Sequence, residues 1–231
     1  MKKILVTGGC GFIASCLIKK LLKNKSNKIL NLDALKKQSV KESLDSIKTN
    51  KNYNFKKIDI SNFDKLHSTI LNFKPDLIYH LAAESHVDRS ISTPDEFIKS
   101  NFHGTLNILE SLRRTKYWQK KRKFKMINIS TDEVYGSLSK QQKSFTEKNQ
   151  YKPNSPYSSS KASSDLIARS YYKTYNIPII TTHCSNNYGP WQYPEKLIPV
   201  VILSCLLEKN IPIYGKGNNI RDWLYVEDHV D

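Results

Sequence analysis

The sequence has no apolar stretch long enough to span a membrane, and its N-terminus shows no signal-peptide pattern. A first apolar strand begins by Ile4, which leaves no room for a targeting segment before it. Internal repeats and low-complexity linkers are also missing. We therefore expect a cytoplasmic protein of one large domain, or one and a half, with no membrane partner.

Cysteine is scarce, and its spacing is not that of metal ligands. The four residues are Cys10, Cys16, Cys184 and Cys205. They fit reduced thiols in a cytosolic protein, so no metal site and no disulfide framework are expected. Cys10 and Cys16 are interpreted as packing residues rather than reactive thiols.

Acidic residues are few: 21 Asp and Glu stand against 37 Lys and Arg in 231 residues, a net charge of +16. The lysines are spread along the chain among Asn and Ser, which favours solvated faces. Binding of a polyanion stays open on composition alone, although we expect no nucleic-acid partner. The same field would attract an anionic nucleotide.

The first fourteen residues organise the chain. An unbroken apolar run at 4–6 predicts a strand covered on both faces, and helical spacing of apolar residues begins at Phe12. Between them, Gly8 allows a tight turn, Gly11 allows a pyrophosphate to approach the backbone, and Ala14 allows close helix–strand packing. A helix N-terminus would face the anion. The pattern indicates dinucleotide binding, with an ordinary glycine turn as the alternative.

Asp33 lies at the end of a second apolar strand, predicted over 27–32. It follows the glycine loop, residues 8–14, by roughly 20 residues. An acid at this place accepts hydrogen bonds from an adenosine ribose and repels a 2′-phosphate, which favours NAD over NADP. The alternative is a strand-end Asp that caps a loop.

Strands and helices alternate along the rest of the chain, which predicts a parallel sheet with helices on both faces. Further strands are expected at 53–58, 76–80, 124–129 and 178–182, and helices at Phe63–Phe73, 97–118, Pro156–Tyr175 and 196–208. Ligands bind at the carboxyl ends of such strands. The glycine loop and the residues after each strand can therefore meet in one crevice.

Tyr157 and Lys161 are four residues apart at a predicted helix start, and so share one face. A Lys ammonium beside a phenol favours the phenolate, which can accept a hydroxyl proton. Such pairs are common on surfaces, but behind a dinucleotide loop the pair indicates catalysis.

Asp132 and Glu133 directly follow a predicted strand. Adjacent carboxylates repel, and in a site they can divide the roles of proton donor and base. A solvated acidic turn is the alternative.

At this point the sequence resembles the nucleoside-diphosphate-glucose 4,6-dehydratases (dTDP-glucose type) of the extended short-chain dehydrogenase/reductase superfamily. The resemblance extends over the whole chain. The Thr-Asp-Glu triplet at 131–133 best distinguishes these dehydratases from the sugar epimerases of the same superfamily, which lack the acid pair. The matching stretches are 7–15, 59–60, 80–90, 130–136, 157–161, 185–190, 193–199 and 221–225.

The resemblance implies a Rossmann-type α/β fold, a doubly wound parallel sheet over 1–185, with a smaller, incomplete C-terminal substrate-binding domain over 186–231. It implies NAD-dependent loss of water from dTDP- or UDP-glucose, feeding deoxysugar (rhamnose-type) synthesis. Tyr157 would remove the 4-hydroxyl proton, Glu133 the C5 proton, and Asp132 would protonate the departing C6 hydroxyl. Thr131 would hydrogen-bond the sugar near O4, and Lys161 would support Tyr157.

The resemblance also implies two sets of binding residues. Those for NAD are Gly8, Gly11, Phe12, Ile13, Asp33, Asp59, Ile60, Leu81, Ala82, Ala83, Ser85, Ser100, Tyr157, Lys161 and Asn187. Those for the sugar nucleotide are Ser85, Thr131, Asp132, Glu133, Asn186, Lys196, Leu197, Pro212, Tyr214 and Arg221. Lys196 and Arg221 suit an anionic diphosphate, with ordinary surface cations as the alternative. His86 is interpreted as structural more readily than as a substrate contact.

Family members continue for roughly another 90 residues beyond the position of Asp231, so the resemblance implies a truncated sequence. It also implies a homodimer paired through the helices at 97–114 and 157–175. A sugar-nucleotide epimerase or decarboxylase remains an alternative function, as does a non-catalytic NAD-binding regulator. The sequence does not distinguish thymine from uracil in the nucleotide.

Overall fold

A six-stranded parallel sheet forms the centre of the molecule, in a computed structural model that describes residues 1–139, 141–213 and 215–231. In chain order its strands are β1 (Lys2–Thr7), β2 (Asn27–Asp33), β3 (Tyr53–Lys57), β4 (Leu77–His80), β5 (Lys125–Thr131) and β6 (Ile179–Cys184). Their order across the sheet is β3-β2-β1-β4-β5-β6. This is the doubly wound Rossmann arrangement, in which the chain reverses direction between β1 and β4. The predicted fold class is confirmed.

Helices cover both faces of the sheet. They are α1 (Phe12–Leu22), α2 (Phe63–Phe73), α3 (Val87–Ser92), α4 (Pro94–Phe97), α5 (Gly104–Thr115), α6 (Pro156–Tyr175), α7 (Leu197–Leu206) and α8 (Val226–Val230). Short 3-10 turns lie at Lys41–Ile47, Tyr117–Lys120 and Asp132–Tyr135. Among the residues described, no helix combines the length and apolar character that crossing a bilayer requires.

The two faces of β1 bury different clusters, as expected for a strand covered on both sides. Ile4 and Val6 pack with residues of α1 such as Ile18. Leu5 points the other way, into a cluster that includes Ile108 of α5. Both clusters fix the carboxyl end of β1, from which the glycine loop leaves.

The predicted helix over 97–118 is wrong in detail. The structure has α4, a π-helical segment at Ile98–His103, then α5, which ends before Lys116 in a left-handed conformation (φ 48°). Within the π segment, the buried Asn101 side chain accepts from Glu84 N (2.8 Å) and donates to Ser160 Oγ (2.8 Å). These contacts hold the loop after β4 against α6, and π-helical turns are frequent at functional sites.

A small parallel sheet of two strands, β7 (Asn186–Tyr188) and β8 (Trp223–Tyr225), follows the main sheet. Sequence analysis did not predict it, because strands of three residues carry too little periodicity. The proposed domain boundary between residues 185 and 186 stays a prediction.

Candidate active site

One cleft of about 390 Å³ opens at the carboxyl ends of the strands, beside the point between β1 and β4 where the strand order reverses. Its lining comes from the glycine loop, from the segments after β2, β3, β4, β5 and β6, from α6 and from the start of α7. The parallel sheet thus brings together residues far apart in the sequence.

The glycine loop begins at Gly8, whose φ of +71° lies in the left-handed region that favours glycine. Gly11 N donates to Gly8 O (2.9 Å), which closes the turn. Gly11 is the N-cap of α1; no side chain caps this helix, and its first turn holds no acid. The free N–H groups and the positive end of the helix dipole therefore face the cleft and suit an anion.

Asp33 is buried at the end of β2 and lines the cleft. Its carboxylate accepts hydrogen bonds from Cys10 N (2.9 Å), Leu35 N (2.7 Å) and Ser39 Oγ (2.7 Å). The loop-capping alternative is thus realised, and the carboxylate still borders the cleft. Burial raises the pKa of Cys10 to about 12, in agreement with a packing role.

His80 anchors the end of β4 under the cleft. Its ring is fully buried, with Nδ1 2.7 Å from Thr7 Oγ1 and Nε2 2.9 Å from Thr105 Oγ1. Burial, together with the positive charge of Lys161, lowers the pKa of His80 to about 3. A neutral imidazole therefore joins β1, β4 and α5 at neutral pH.

The acid pair lies in the 3-10 turn that follows β5. Thr131 caps this turn, since its Oγ1 accepts from Glu133 N (3.2 Å). Burial raises the pKa of Asp132, and burial together with the charge of Asp132 raises the pKa of Glu133. Both carboxyls thus hold a proton more readily than in water, as acid–base catalysis near neutral pH requires.

The predicted bounds of α6 are confirmed at both ends, and its first turn has a capping box. Ser155 Oγ accepts from Ser158 N (3.0 Å), and Ser158 Oγ accepts from Ser155 N (3.0 Å). Pro156 occupies the first turn, where a missing N–H costs nothing. This local sequence fixes where Tyr157 enters the cleft.

Tyr157 and Lys161 both line the cleft. Burial raises the pKa of Tyr157, the charge of Glu133 raises it further, and the Thr131 hydroxyl lowers it. The expected lowering of the Tyr157 pKa is not seen in this structure, because burial raises the pKa and the charge of Glu133 adds to the rise. Lys161 Nζ instead donates to Ile129 O (2.7 Å), and burial lowers the pKa of Lys161.

Glu84, in the loop after β4, is a buried acid on the cleft wall that sequence analysis missed. It forms ion pairs with Arg89 and with Lys36 Nζ (3.1 Å) of the segment after β2. A second link joins Lys196 Nζ to Ser85 O (2.9 Å). These contacts tie three loops together around the cleft.

Every residue predicted to bind NAD lines the cleft, from Gly8 in the first loop to Asn187 in β7. Of the predicted substrate residues, Ser85, Thr131, Glu133, Asn186, Lys196 and Leu197 line it as well. Asp132, Pro212 and Arg221 are not in the lining, although the charge of Arg221 lowers the pKa of Asp132 and of Glu133. Tyr214 lies outside the described residues. His86 caps α3, its Nδ1 accepting from Arg89 N (3.3 Å).

Other residues in or beneath the cleft were also missed by sequence analysis. Cys184 and Gln192 line the cleft, and burial raises the pKa of Cys184 to about 11. Asp165 lies beneath the site, buried in α6 one turn beyond Lys161. The one signal for Asp165 is its spacing, since it continues the Tyr157–Lys161 face by four residues.

A family model described as GDP-mannose 4,6 dehydratase matches residues 5–231. The chain belongs to this family. It is 48% identical over 235 residues to the dTDP-glucose 4,6-dehydratase of Neisseria meningitidis serogroup B. The alignment covers 100% of this chain and 66% of that relative. The chain thus spans just under two thirds of the length of that curated relative, and the predicted family resemblance is confirmed.

Solved structures of this dehydratase family and of a related enzyme match the fold. The crystal structure of dTDP-glucose 4,6-dehydratase from Bacillus anthracis in complex with NAD has a TM-score of 0.87 and 45% identity, covering 100% of this chain and 69% of that one. A UDP-glucuronic acid 4-epimerase from Bacillus cereus, in complex with UDP-glucuronic acid and NAD, has a TM-score of 0.89 and 31% identity. The match covers 99% of this chain and 70% of the epimerase chain.

Proposed function

We propose that this protein catalyses the NAD-dependent dehydration of a nucleoside-diphosphate-glucose to the 4-keto-6-deoxy sugar nucleotide. One observation carries the proposal: Glu133 and Tyr157 line the same cleft, close enough for the charge of Glu133 to raise the pKa of the phenol. The redox site and the Glu133 carboxyl can therefore act on a single hexose. The dTDP-glucose dehydratases among the relatives support this assignment.

The residues present fit a dinucleotide. The open N-terminus of α1 suits a pyrophosphate, and the Asp33 carboxylate at the cleft edge suits a ribose without a 2′-phosphate. A related crystal structure contains NAD. NAD, when bound, supplies an acceptor for a hydride that it later returns.

The first half of the reaction is oxidation at C4 of the sugar. Tyr157 takes the proton of the 4-hydroxyl, and the C4 hydrogen leaves with its electron pair, so that a ketone forms. Because burial raises the pKa of Tyr157, the positive charge of Lys161 on the same face of α6 is needed to stabilise the phenolate. Thr131 holds the sugar near O4.

The second half is elimination of water. The 4-ketone acidifies the C5 hydrogen, Glu133 removes it as a proton, and Asp132 protonates the C6 hydroxyl as the C–O bond breaks. Glu133 would return a proton to C5, and bound NAD would supply the hydride that turns C6 into a methyl group. The raised pKa of Asp132 and of Glu133 suits this exchange of protons.

The sugar nucleotide would lie against Ser85, Asn186, Lys196 and Leu197 on the cleft wall. Lys196 and Arg221 would neutralise the diphosphate, with Pro212 and Tyr214 as further contacts. Burial lowers the pKa of Lys196, and pairing with a phosphate would raise it again. The substrate is dTDP- or UDP-glucose.

A 4-epimerase or decarboxylase of the same superfamily is the second candidate, favoured by the likeness to the UDP-glucuronic acid 4-epimerase. The acid pair after β5 argues against the epimerase assignment, because an epimerase reaction has no leaving hydroxyl for an acid to protonate. The full set of Tyr157, Lys161, Asp132 and Glu133 in turn disfavours a non-catalytic NAD-binding regulator.

A homodimer is part of the proposal, through the helices at 97–114 and 157–175. Exposed apolar side chains on them, Ile98, Leu166 and Tyr172, support such pairing. We further propose a cytoplasmic enzyme with no metal, nucleic-acid or membrane partner, to which the four free cysteines are suited.

The test is product analysis by NMR after incubation with NAD and either dTDP-glucose or UDP-glucose, without an added reductant. A 4-keto-6-deoxy sugar nucleotide is expected, and the faster of the two substrates identifies the nucleotide base. Formation of the galactose epimer alone would replace the dehydratase assignment with the epimerase.

A further inference from the structure

Asp165 is a buried acid that no step of the proposed reaction uses. It is 4% exposed, and it follows Tyr157 and Lys161 at intervals of four residues along α6. All three side chains therefore belong to one face of the helix, the face packed against the sheet. A carboxylate in this position is expensive unless it is paired and hydrogen-bonded.

The carboxylate is contacted by side chains of two strands, β5 and β6, and of the segment before α6. Asn128 Nδ2 (3.0 Å) and Ser130 Oγ (2.5 Å) of β5 donate to it, as does the Tyr151 hydroxyl (3.3 Å). His183 Nε2 of β6 lies 3.3 Å from the same carboxylate. These partners are 14 to 37 residues away in sequence, so folding assembles the cluster around Asp165.

The same stretch of β5 connects this cluster to the catalytic groups. Asn128 and Ser130 hold Asp165, and between them Ile129 O accepts from Lys161 Nζ (2.7 Å). Thr131, the next residue, caps the turn of the acid pair. Because Asp165 is hydrogen-bonded to Asn128 and Ser130, replacing it would shift the backbone that holds Lys161 and the adjacent Thr131.

We propose that Asp165 is a positioning residue of the active site: its carboxylate fixes the end of β5 beneath Thr131 and supplies the buried counter-charge of Lys161. This role rests on the proposed function, since it concerns the group that supports the Tyr157 phenolate. Lys161 is not in ion-pair contact with Asp165, so the charge acts across the protein interior, where the effective dielectric constant is low.

The charges around Lys161 agree with this role. Burial lowers the pKa of Lys161, while the negative charge of Asp165 is the strongest influence that raises it, followed by Cys184. From the other elements, His80 of β4 is held neutral and Tyr157 is buried in its protonated form. Within the described residues, Asp165 is thus the principal anion that favours a charged Lys161.

The experiment is an NMR titration of lysine side chains labelled with ¹³C at Cε, with the Lys161 signal assigned from its loss in Lys161→Met. Lys161 is expected to remain charged at pH 7.5 in the unmodified protein. Asp165→Asn, which keeps the shape of the side chain, is expected to lower the proton affinity of Lys161 at least tenfold. Asp165→Glu should restore most of it.

The matched control is Asp76→Asn, which removes a carboxylate paired with Lys121 at the opposite end of β4. It should leave the Lys161 titration unchanged. An unaltered Lys161 titration in folded Asp165→Asn overturns the proposal, and so does an equal change in Asp76→Asn. If the Asp165 variants do not fold, a neutral Lys161 at pH 7.5 in the unmodified protein overturns it instead.

Turnover supplies a second readout. In Asp165→Asn, the loss of C4 oxidation at alkaline pH should begin at lower pH, because Lys161 gives up its proton earlier. The titration needs neither cofactor nor substrate, so it remains informative if the protein is not a dehydratase. Conversely, normal dehydration with an unchanged Lys161 titration refutes the role of Asp165 and leaves the proposed function intact.

Discussion

Gly8 and Ala82 approach each other so closely that a Cβ on Gly8 would lie 2.7 Å from both the backbone N and the Cα of Ala82. The turn after β1 and the segment after β4 thus meet without space for a side chain. This contact sets the floor of the cleft where the strand order reverses.

Gly8→Ala should therefore destabilise the fold and weaken dinucleotide binding. The positive φ costs about 1 to 3 kcal/mol for a residue with a side chain, and the clash with Ala82 adds to it. We expect a lower free energy of unfolding in urea and at least a tenfold weaker Kd for NAD. Isothermal titration calorimetry measures the latter.

Gly215→Ala is the matched control. Gly215 also has a positive φ (+59°), but among the described residues other than its chain neighbours no atom lies within 4 Å of a Cβ built there. It should lose stability through backbone strain alone and bind NAD normally. Equal losses in the two variants would mean that the contact with Ala82 has no role in cofactor binding.

Glu133→Gln should stop the reaction after oxidation at C4. The amide cannot accept the C5 proton, whereas Tyr157 and Lys161 remain in place. We expect absorbance of the reduced nicotinamide to appear and persist, with no exchange of the C5 hydrogen for solvent deuterium. Glu96→Gln, an exposed change in α4, should leave both readings unaltered. Undiminished exchange at C5 in Glu133→Gln would remove this residue from the role of base.

Glu110 of α5 joins this helix to α6, and the link should depend on pH. Its carboxylate accepts from Arg113 Nε (2.6 Å) and Nη2 (2.7 Å), and from the Tyr171 hydroxyl of α6. The hydrogen bond from Arg113, opposed by partial burial and aided by Tyr171, lowers the pKa of Glu110 to about 2 from an ordinary 4.5.

A lowered folded-state pKa gives stability that is complete above the ordinary value and is lost as pH falls toward the folded one. Glu110→Gln should thus cost about 1 kcal/mol at pH 7, after solvent screening, and progressively less between pH 4.5 and pH 2. Chemical unfolding across this range measures it, with Glu96→Gln as the exposed control. A cost independent of pH would show that packing rather than charge is lost.

The sequence predicted those elements whose ends are encoded locally. Both bounds of α2 and α6 are correct. Asn62 and the Ser155–Ser158 box cap their first turns, and left-handed residues, Lys74 and Asn176, follow their last turns. β5 and β6 extend about two residues beyond the predicted ends, since Ser130 and Thr131 pair with His183 and Cys184 in the sheet. That pairing joins parts of the chain that are far apart in the sequence, and the local strand propensity of a residue does not reveal it.

The same distinction separates the site residues that the sequence predicted from those that it did not. Glycine spacing, Asp33 and the Tyr157–Lys161 pair were visible because each depends on neighbours in sequence. Glu84 and Asp165 were not, because their partners lie on other elements, such as Lys36 and Ser130. The pKa of Tyr157 was misjudged for a related reason: the spacing of a pair does not reveal how deeply it is buried.

The central claim is that one cleft oxidises C4 and reduces C6 of the same sugar. The most direct test uses a nucleoside-diphosphate-glucose labelled with deuterium at C4, converted by the protein with NAD. The account predicts that the deuterium appears in the C6 methyl group of a 4-keto product. Deuterium returned to C4, or lost to water, would contradict it.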